Sequence, residues 1–415
     1  MASALSEGPE FGAAQATAAT AVEADGGAWS EFEEVIPREG TGALGLARAR
    51  YGMPPDVTAL WLADMGFKAP AHVRQLLAQR AEHGIFGYSV PTEGYYDSVG
   101  SWFARRHNWE IDPRQAVITR GVVHAIYLAL DVLTEPGDAV IIQPPVYHPF
   151  FEAVQRTGRQ VAANPLVESG AGWEIDFDNF EVKARQARAF VLCSPHNPVG
   201  RVWTCAELER MAEICLRHGV SIISDEIHQD FVYPGAQHTV TASLSPEVDA
   251  ATVTCTAPSK TFNLAGLQLA NVFAADPVVR RRLTTAYTRQ GLSQHPALGL
   301  AACEAAYGHL SDPWVDGLIA YLDGTLDLIG EFVDRRLPGV SFTRPEGTYF
   351  AWLDLRGLDA PPAEVDRAIV HQAKLWLSEG SSFGAEGAGF KRLNAAAPRA
   401  VISDALERLA GALVS

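Results

Sequence analysis

Between residues 116 and 254 the chain alternates short apolar runs with stretches of helical periodicity, and this alternation limits the possible folds more than any other feature. Apolar runs at 116–119, 139–143, 189–193, 220–224 and 251–254 have strand length and are bounded by turn residues. Between the first two, Val123, Ile126, Leu130 and Leu133 recur at helical spacing, which predicts a helix over 122–133. A second helix is predicted over 204–218, with Thr204 as N-cap and Glu207 completing a capping box. Strands that alternate with helices form crossover units, so the expected class is α/β with a mostly parallel sheet flanked by helices.

With 415 residues the chain exceeds the size at which single cores stop growing, roughly 250–300 residues, so two domains are expected. The texture changes near Trp314 to a long helical stretch, then hairpin character over 340–355 around Pro345-Glu346-Gly347. Helical patterns follow at 361–375 and 399–413, separated by the glycine-rich segment 379–390. The expected division is a disordered tail at 1–28, an N-terminal segment of the small domain at 29–59, a large domain at 60–310 and a smaller α+β domain at 311–415. The tail lacks Lys and Arg and has no secretory pattern, which points to the cytoplasm. Five cysteines without a C-x-x-C pair agree with a reducing compartment and define neither a disulfide framework nor a zinc ribbon. A net charge of −16 disfavours nucleic acid as a partner, and no apolar stretch has the ~20 residues that cross a bilayer.

Only five of the 33 basic residues are lysines, and Lys260 stands in Thr254-Cys-Thr-Ala-Pro-Ser-Lys-Thr-Phe-Asn-Leu-Ala-Gly266, a segment without another charge. Arginine stays protonated, whereas a desolvated lysine can lose its proton and attack a carbonyl. Three other motifs make a Schiff base the coherent reading. Thr119-Arg120-Gly121-Val122-Val123 runs from a strand through glycine into a helix, whose free N–H groups suit a phosphate. Asn197, in Ser194-Pro-His-Asn-Pro-Val-Gly200, follows the 189–193 strand, and Asp225 ends the next one. Loops at the carboxyl ends of strands are where open α/β sheets bind ligands. Phosphate cradle, amide, carboxylate and lysine together point to pyridoxal 5'-phosphate, with Asp225 paired to the ring nitrogen so that the ring acts as an electron sink.

The segments Trp61-Leu-Ala-Asp-Met65, Gly121-Val-Val123, Pro145-Val-Tyr147, Ser194–Gly200, Asp225-Glu-Ile-His228 and Ser259-Lys-Thr-Phe-Asn-Leu-Ala-Gly266 carry a further signal. In them the chain resembles the fold-type I pyridoxal-phosphate enzymes of the class I/II aminotransferase superfamily, and within it the MalY/PatB-type cystathionine β-lyase group. The resemblance implies a large domain with a mostly parallel seven-stranded sheet, a smaller α+β domain and a homodimer with shared active sites. It makes Lys260 the Schiff-base lysine, Asp225 the partner of the pyridine nitrogen, Asn197 a donor to the ring oxygen and Tyr147 the residue stacked on the ring. Gly121, Val122, Val123 and Ser259 would hold the phosphate with Tyr88 of the neighbouring subunit. His228 would lie beside the cofactor, either polarising its oxygen or the leaving group, or serving structure alone. Arg392 would grip the substrate α-carboxylate, together with Asn197, by a bidentate charge-assisted pair. Its neighbour Lys391 is expected to be solvated, Trp203 and Trp376 to be core, and no metal site is expected.

Two departures from the family pattern matter. Position 268, where many superfamily members but not all related lyases carry a phosphate-binding arginine eight residues after the lysine, is glutamine, so the phosphate is expected to rely on backbone amides and hydroxyls. The usual Ala-Asp-Met-Asp-Phe reads Ala63-Asp-Met-Gly-Phe67, and the glycine predicts a site opened to a conjugate bulkier than cystathionine, as in the sulfur chemistry of specialised metabolism. The expected reaction is β-elimination from an S-substituted cysteine, giving thiol, pyruvate and ammonia. Amino transfer, decarboxylating or oxidative deamination of a cysteine conjugate, and a cofactor-binding regulator without turnover are the alternatives.

Overall fold

The computed structural model describes residues 30–170 and 172–414, so the expected tail at 1–28 lies outside the described residues. Seven strands form the central sheet: β1 (Val117–Thr119), β2 (Ala139–Ile142), β3 (Gln160–Ala163), β4 (Ala187–Cys193), β5 (Ser221–Asp225), β6 (Thr252–Thr256) and β7 (Ala270–Ala274). Their order is β1-β7-β6-β5-β4-β2-β3. All pairings are parallel except those of β7, which runs antiparallel to both β1 and β6. Each strand expected from the sequence is present within two residues, and β3 and β7 are additional. The inner strands are buried along almost their whole length, with Arg188 of β4 exposed, because both faces are covered by helices. Helix α1 (Val122–Leu133) buries Val122, Ala125, Ile126, Ala129 and Leu130 against the sheet. Helix α2 (Cys205–His218) starts with the expected capping box between Thr204 and Glu207 and ends at Gly219, whose φ of 67° places it in the left-handed region.

A second sheet, from β8 (Ser341–Phe342), β9 (Phe350–Asp354), β10 (Ser378–Glu379) and β11 (Phe390–Asn394), is antiparallel in the order β8-β9-β11-β10. It packs with the 25-residue helix α3 (Asp312–Arg336) and with α4 (Arg399–Leu413). The helix expected over 361–375 is shorter. It comprises Pro362–Arg367 and a π-helical turn at Ala368–Gln372, and Lys374 at φ 54° stops it. Leu375–Trp376 then pairs in parallel with Thr58–Ala59, which ties the N-terminal segment to the C-terminal third. In the glycine-rich segment, a Cβ on Gly380 would lie 2.1 Å from the Gly387 carbonyl oxygen, so two short turns can close only on glycine.

Candidate active site

The carboxyl ends of β4, β5 and β6, adjacent in the sheet, carry the site: Asp225 is the last residue of β5, and Asn197 and Lys260 stand on the loops after β4 and β6. The turn from β1 into α1 stands across β7, so the fourth motif reaches the same edge from one strand further away. These four segments enclose a cavity of about 200 Å³ lined by Gly121, Val122, Val123, Tyr147, Asn197, Asp225, His228, Ser259 and Lys260, together with Arg120 and Gln268. Along its wall, Gly121 precedes α1 at φ 139° and no side chain caps the helix, leaving the first-turn N–H groups available.

Lys260 Nζ donates to the Ala63 carbonyl at 2.6 Å, an acceptor it shares with the Tyr349 hydroxyl at 3.1 Å. Burial, with the positive field of Arg392, lowers its pKa to about 8. The same desolvation works in the opposite sense on Asp225, whose pKa rises to about 7 despite an N–H bond from Ile227 at 3.1 Å and the nearby lysine. A buried carboxylate held this high lacks a full cationic partner and would take one from a protonated ring nitrogen. Burial pushes the Tyr147 phenol up to about 12, so it stays neutral. His228 is buried with Nδ1 unpartnered, its ring 5.5 Å from those of both Tyr349 and Phe350, and desolvation keeps it uncharged.

Arg392 comes from β11 in the second sheet and is 5% exposed. Nη1 donates to Asn197 Oδ1 at 2.8 Å, and Nη2 to the Trp61 carbonyl at 2.8 Å and Ser378 Oγ at 3.2 Å. Its guanidinium lies 4.0 Å over the Phe350 ring, and Nε has no partner. Among the described residues no carboxylate pairs with it, and burial lowers its pKa to about 10. A charge buried without a counterion is costly unless a ligand supplies the anion. Asn197 accepts from this arginine with its oxygen, so its NH₂ remains to donate.

Residues 64–409 match the family model described as aminotransferase class I and II. The chain belongs to this aminotransferase family. It is 40% identical over 360 residues to the cystathionine beta-lyase PatB of Bacillus subtilis, covering 86% of this chain and 93% of the relative. It is 34% identical to the protein MalY of Escherichia coli, covering 92% and 98% respectively. The crystal structure of cystalysin from Treponema denticola, which contains pyridoxal 5'-phosphate, superposes with a TM-score of 0.87 at 37% identity, covering 92% of this chain and 98% of that one.

Within this family frame, several expectations need correction. Gly66 lines neither this cavity nor its neighbour; its N–H bonds the Ala396 carbonyl at 2.7 Å, and a Cβ there would meet Pro398 and Ala397 at 3.3 and 3.4 Å. Glycine at 66 therefore permits a close backbone contact rather than opening the site. Lys391 is 7% exposed, not solvated, and its ammonium is held by Asp366 at 2.5 Å and by Glu379. Trp376 is buried, yet it also forms the wall of a second cavity of about 560 Å³ that shares Ala63, Tyr147, Lys260 and Arg392 with the site. Its ring stacks on Trp61 at 4.4 Å, and Tyr51 meets Trp61 at an edge and Trp376 at a tilt. Tyr88 is 92% exposed and borders a different hollow, beside Arg120, Gln268 and His295, so it does not reach the cavity of its own subunit.

Proposed function

We propose that this chain is a pyridoxal-phosphate-dependent carbon–sulfur β-lyase that releases thiol, pyruvate and ammonia from an S-substituted cysteine. The observation that carries it is the buried Arg392, without a carboxylate partner among the described residues and bonded to Asn197, beside a depressed Lys260 that lines both its cavity and that of the raised Asp225. The residues fit the cofactor: Asp225 for its ring nitrogen, Asn197 for its ring oxygen, Tyr147 against its face, Lys260 for its carbonyl carbon, and Val122, Val123 and Ser259 for its phosphate. When bound, the group supplies an electron sink for the charge left at Cα after proton removal. Arg392 and Asn197 hold the substrate α-carboxylate and so set which Cα bond stands perpendicular to the ring plane. Lys260, neutral above about pH 8, takes the Cα proton, and the C–S bond breaks as a thiolate leaves. The neutral His228, which lines the same cavity as Lys260, is the group assigned to donate to or accept from the leaving group. The names of PatB and of the cystathionine beta-lyase from Corynebacterium glutamicum favour elimination over transfer.

The same reading includes a homodimer in which Tyr88 enters the partner's site. Ile85, Phe86, Tyr88 and Val90, all more than half exposed, form an apolar strip suited to burial against a second copy. It also includes the division at residues 60 and 311, with the site between the two sheets, and a cytoplasmic setting supported by five unpaired cysteines. Among the described residues no helix is long and apolar enough to cross a membrane. Borohydride reduction of the cofactor-loaded protein, followed by peptide mapping, tests the foundation. The label is expected on Lys260, and a label on another lysine or none would remove it.

A further inference from the structure

Gln268 leaves the proposed phosphate site without the arginine that the family pattern puts there. The residue is neutral, exposed and set at φ 51° in the left-handed region. Val122, Val123 and Ser259 offer only uncharged donors. Arg120, immediately before Gly121, lines the same cavity as those residues and as Gln268. Its Nε is buried and unpartnered. Among the described residues its hydrogen bonding is confined to Nη2 on the neutral Gln294 carbonyl at 3.3 Å, and no carboxylate pairs with it. That charge is also felt outside the cavity: after burial, it is the second cause lowering the pKa of His295.

We propose that Arg120 supplies the cofactor phosphate with the cation that position 268 withholds, from the residue that precedes the helix N-terminus. The inference rests on the cofactor reading above. A guanidinium fork matches phosphate oxygens bidentately, and such charge-assisted bonds are about twice as strong as neutral ones. The arginine has thus moved from the loop after β6 to the loop after β1, and the anion keeps both the helix terminus and a full positive charge.

The test is equilibrium binding of pyridoxal phosphate and of pyridoxal, which lacks the phosphate, to the cofactor-free protein, followed by absorbance. Arg120→Ala should weaken pyridoxal phosphate by about 10- to 100-fold, the range expected for hydrogen bonds to a charged group, and leave pyridoxal within about twofold. Arg120→Lys should lose less, and Arg120→Ala combined with Gln268→Arg should recover most of the affinity. Equal losses for both ligands would assign Arg120 to the packing of the 290–296 loop and overturn the proposal, as would an unchanged affinity for pyridoxal phosphate. If the unaltered protein binds neither ligand at Lys260, the cofactor reading itself falls and takes this inference with it.

Discussion

Lys260 and Asp225 are shifted by the same cause in opposite directions, since burial disfavours the charged form of each: the cation of lysine and the anion of aspartate. Only the neutral amine attacks an aldehyde. The rate at which cofactor-free protein takes up pyridoxal phosphate should therefore rise with pH through about 8 and then level, whereas an ordinary lysine would keep rising toward 10.5. Stopped-flow absorbance across pH 6.5–10 measures it, and a profile still climbing above pH 9.5 would show that Lys260 is not desolvated as described. Lys260, Asp225 and Asn197 stand out in the sequence because a polar group at the end of an apolar strand has few structural uses, whereas Arg392, in the middle of β11, is expected from the family resemblance alone. Lys391 was misread because its counter-charges, Asp366 and Glu379, come from separate segments that only the fold brings together. Trp376 was unreadable for a different reason. A tryptophan in an apolar run looks the same whether its ring fills a core or, as here, stacks on Trp61 at a cavity wall.

At the scale of elements, strands with strong apolar runs were placed within two residues, whereas the edge strand β3 and the antiparallel β7 were not. β3 has only one strand neighbour and its four residues are exposed or intermediate, so it lacks a continuous apolar signature. β7 follows β6 after a largely apolar loop with a single 3-10 turn instead of an α-helix, which breaks the alternation of strands and helices. The start of α2 was legible in full because capping is local chemistry. Thr204 Oγ1 accepts from Glu207 N at 3.2 Å while Glu207 Oε2 accepts from Thr204 N at 2.8 Å. The same glutamate pairs with Arg201 at 3.0 Å, and Arg201 reaches Glu346 at 2.9 Å, so the cap is joined to the turn before β9. Thr204→Ala is expected to cost about 1 kcal/mol, or somewhat more through this coupling. Urea unfolding should show an earlier midpoint at unchanged slope for Thr204→Ala and near-parental behaviour for Thr204→Ser. A loss common to both would point to packing rather than the hydroxyl.

For the whole molecule, the class and the mostly parallel sheet followed from periodicity, whereas of the antiparallel second sheet only the hairpin character over 340–355 was legible. Where Tyr88 acts could not be read from periodicity, because its proposed partner lies on another chain. If it completes the neighbouring site, mixing the inactive Lys260→Ala and Tyr88→Phe chains should produce heterodimers with one restored site each, given that both parents are severely impaired. Heterodimers that form without recovering activity would return Tyr88 to its own subunit. The central claim is elimination, and the most direct test is a product assay on S-alkyl and S-aryl cysteines and cystathionine, with no keto acid added. Sustained release of thiol, pyruvate and ammonia over many turnovers is expected, falling on the order of 10²-fold in Arg392→Ala as Cα orientation is lost. Activity that stops after one turnover and resumes with pyruvate or 2-oxoglutarate would contradict it in favour of amino transfer, and release of carbon dioxide would contradict it in favour of decarboxylation.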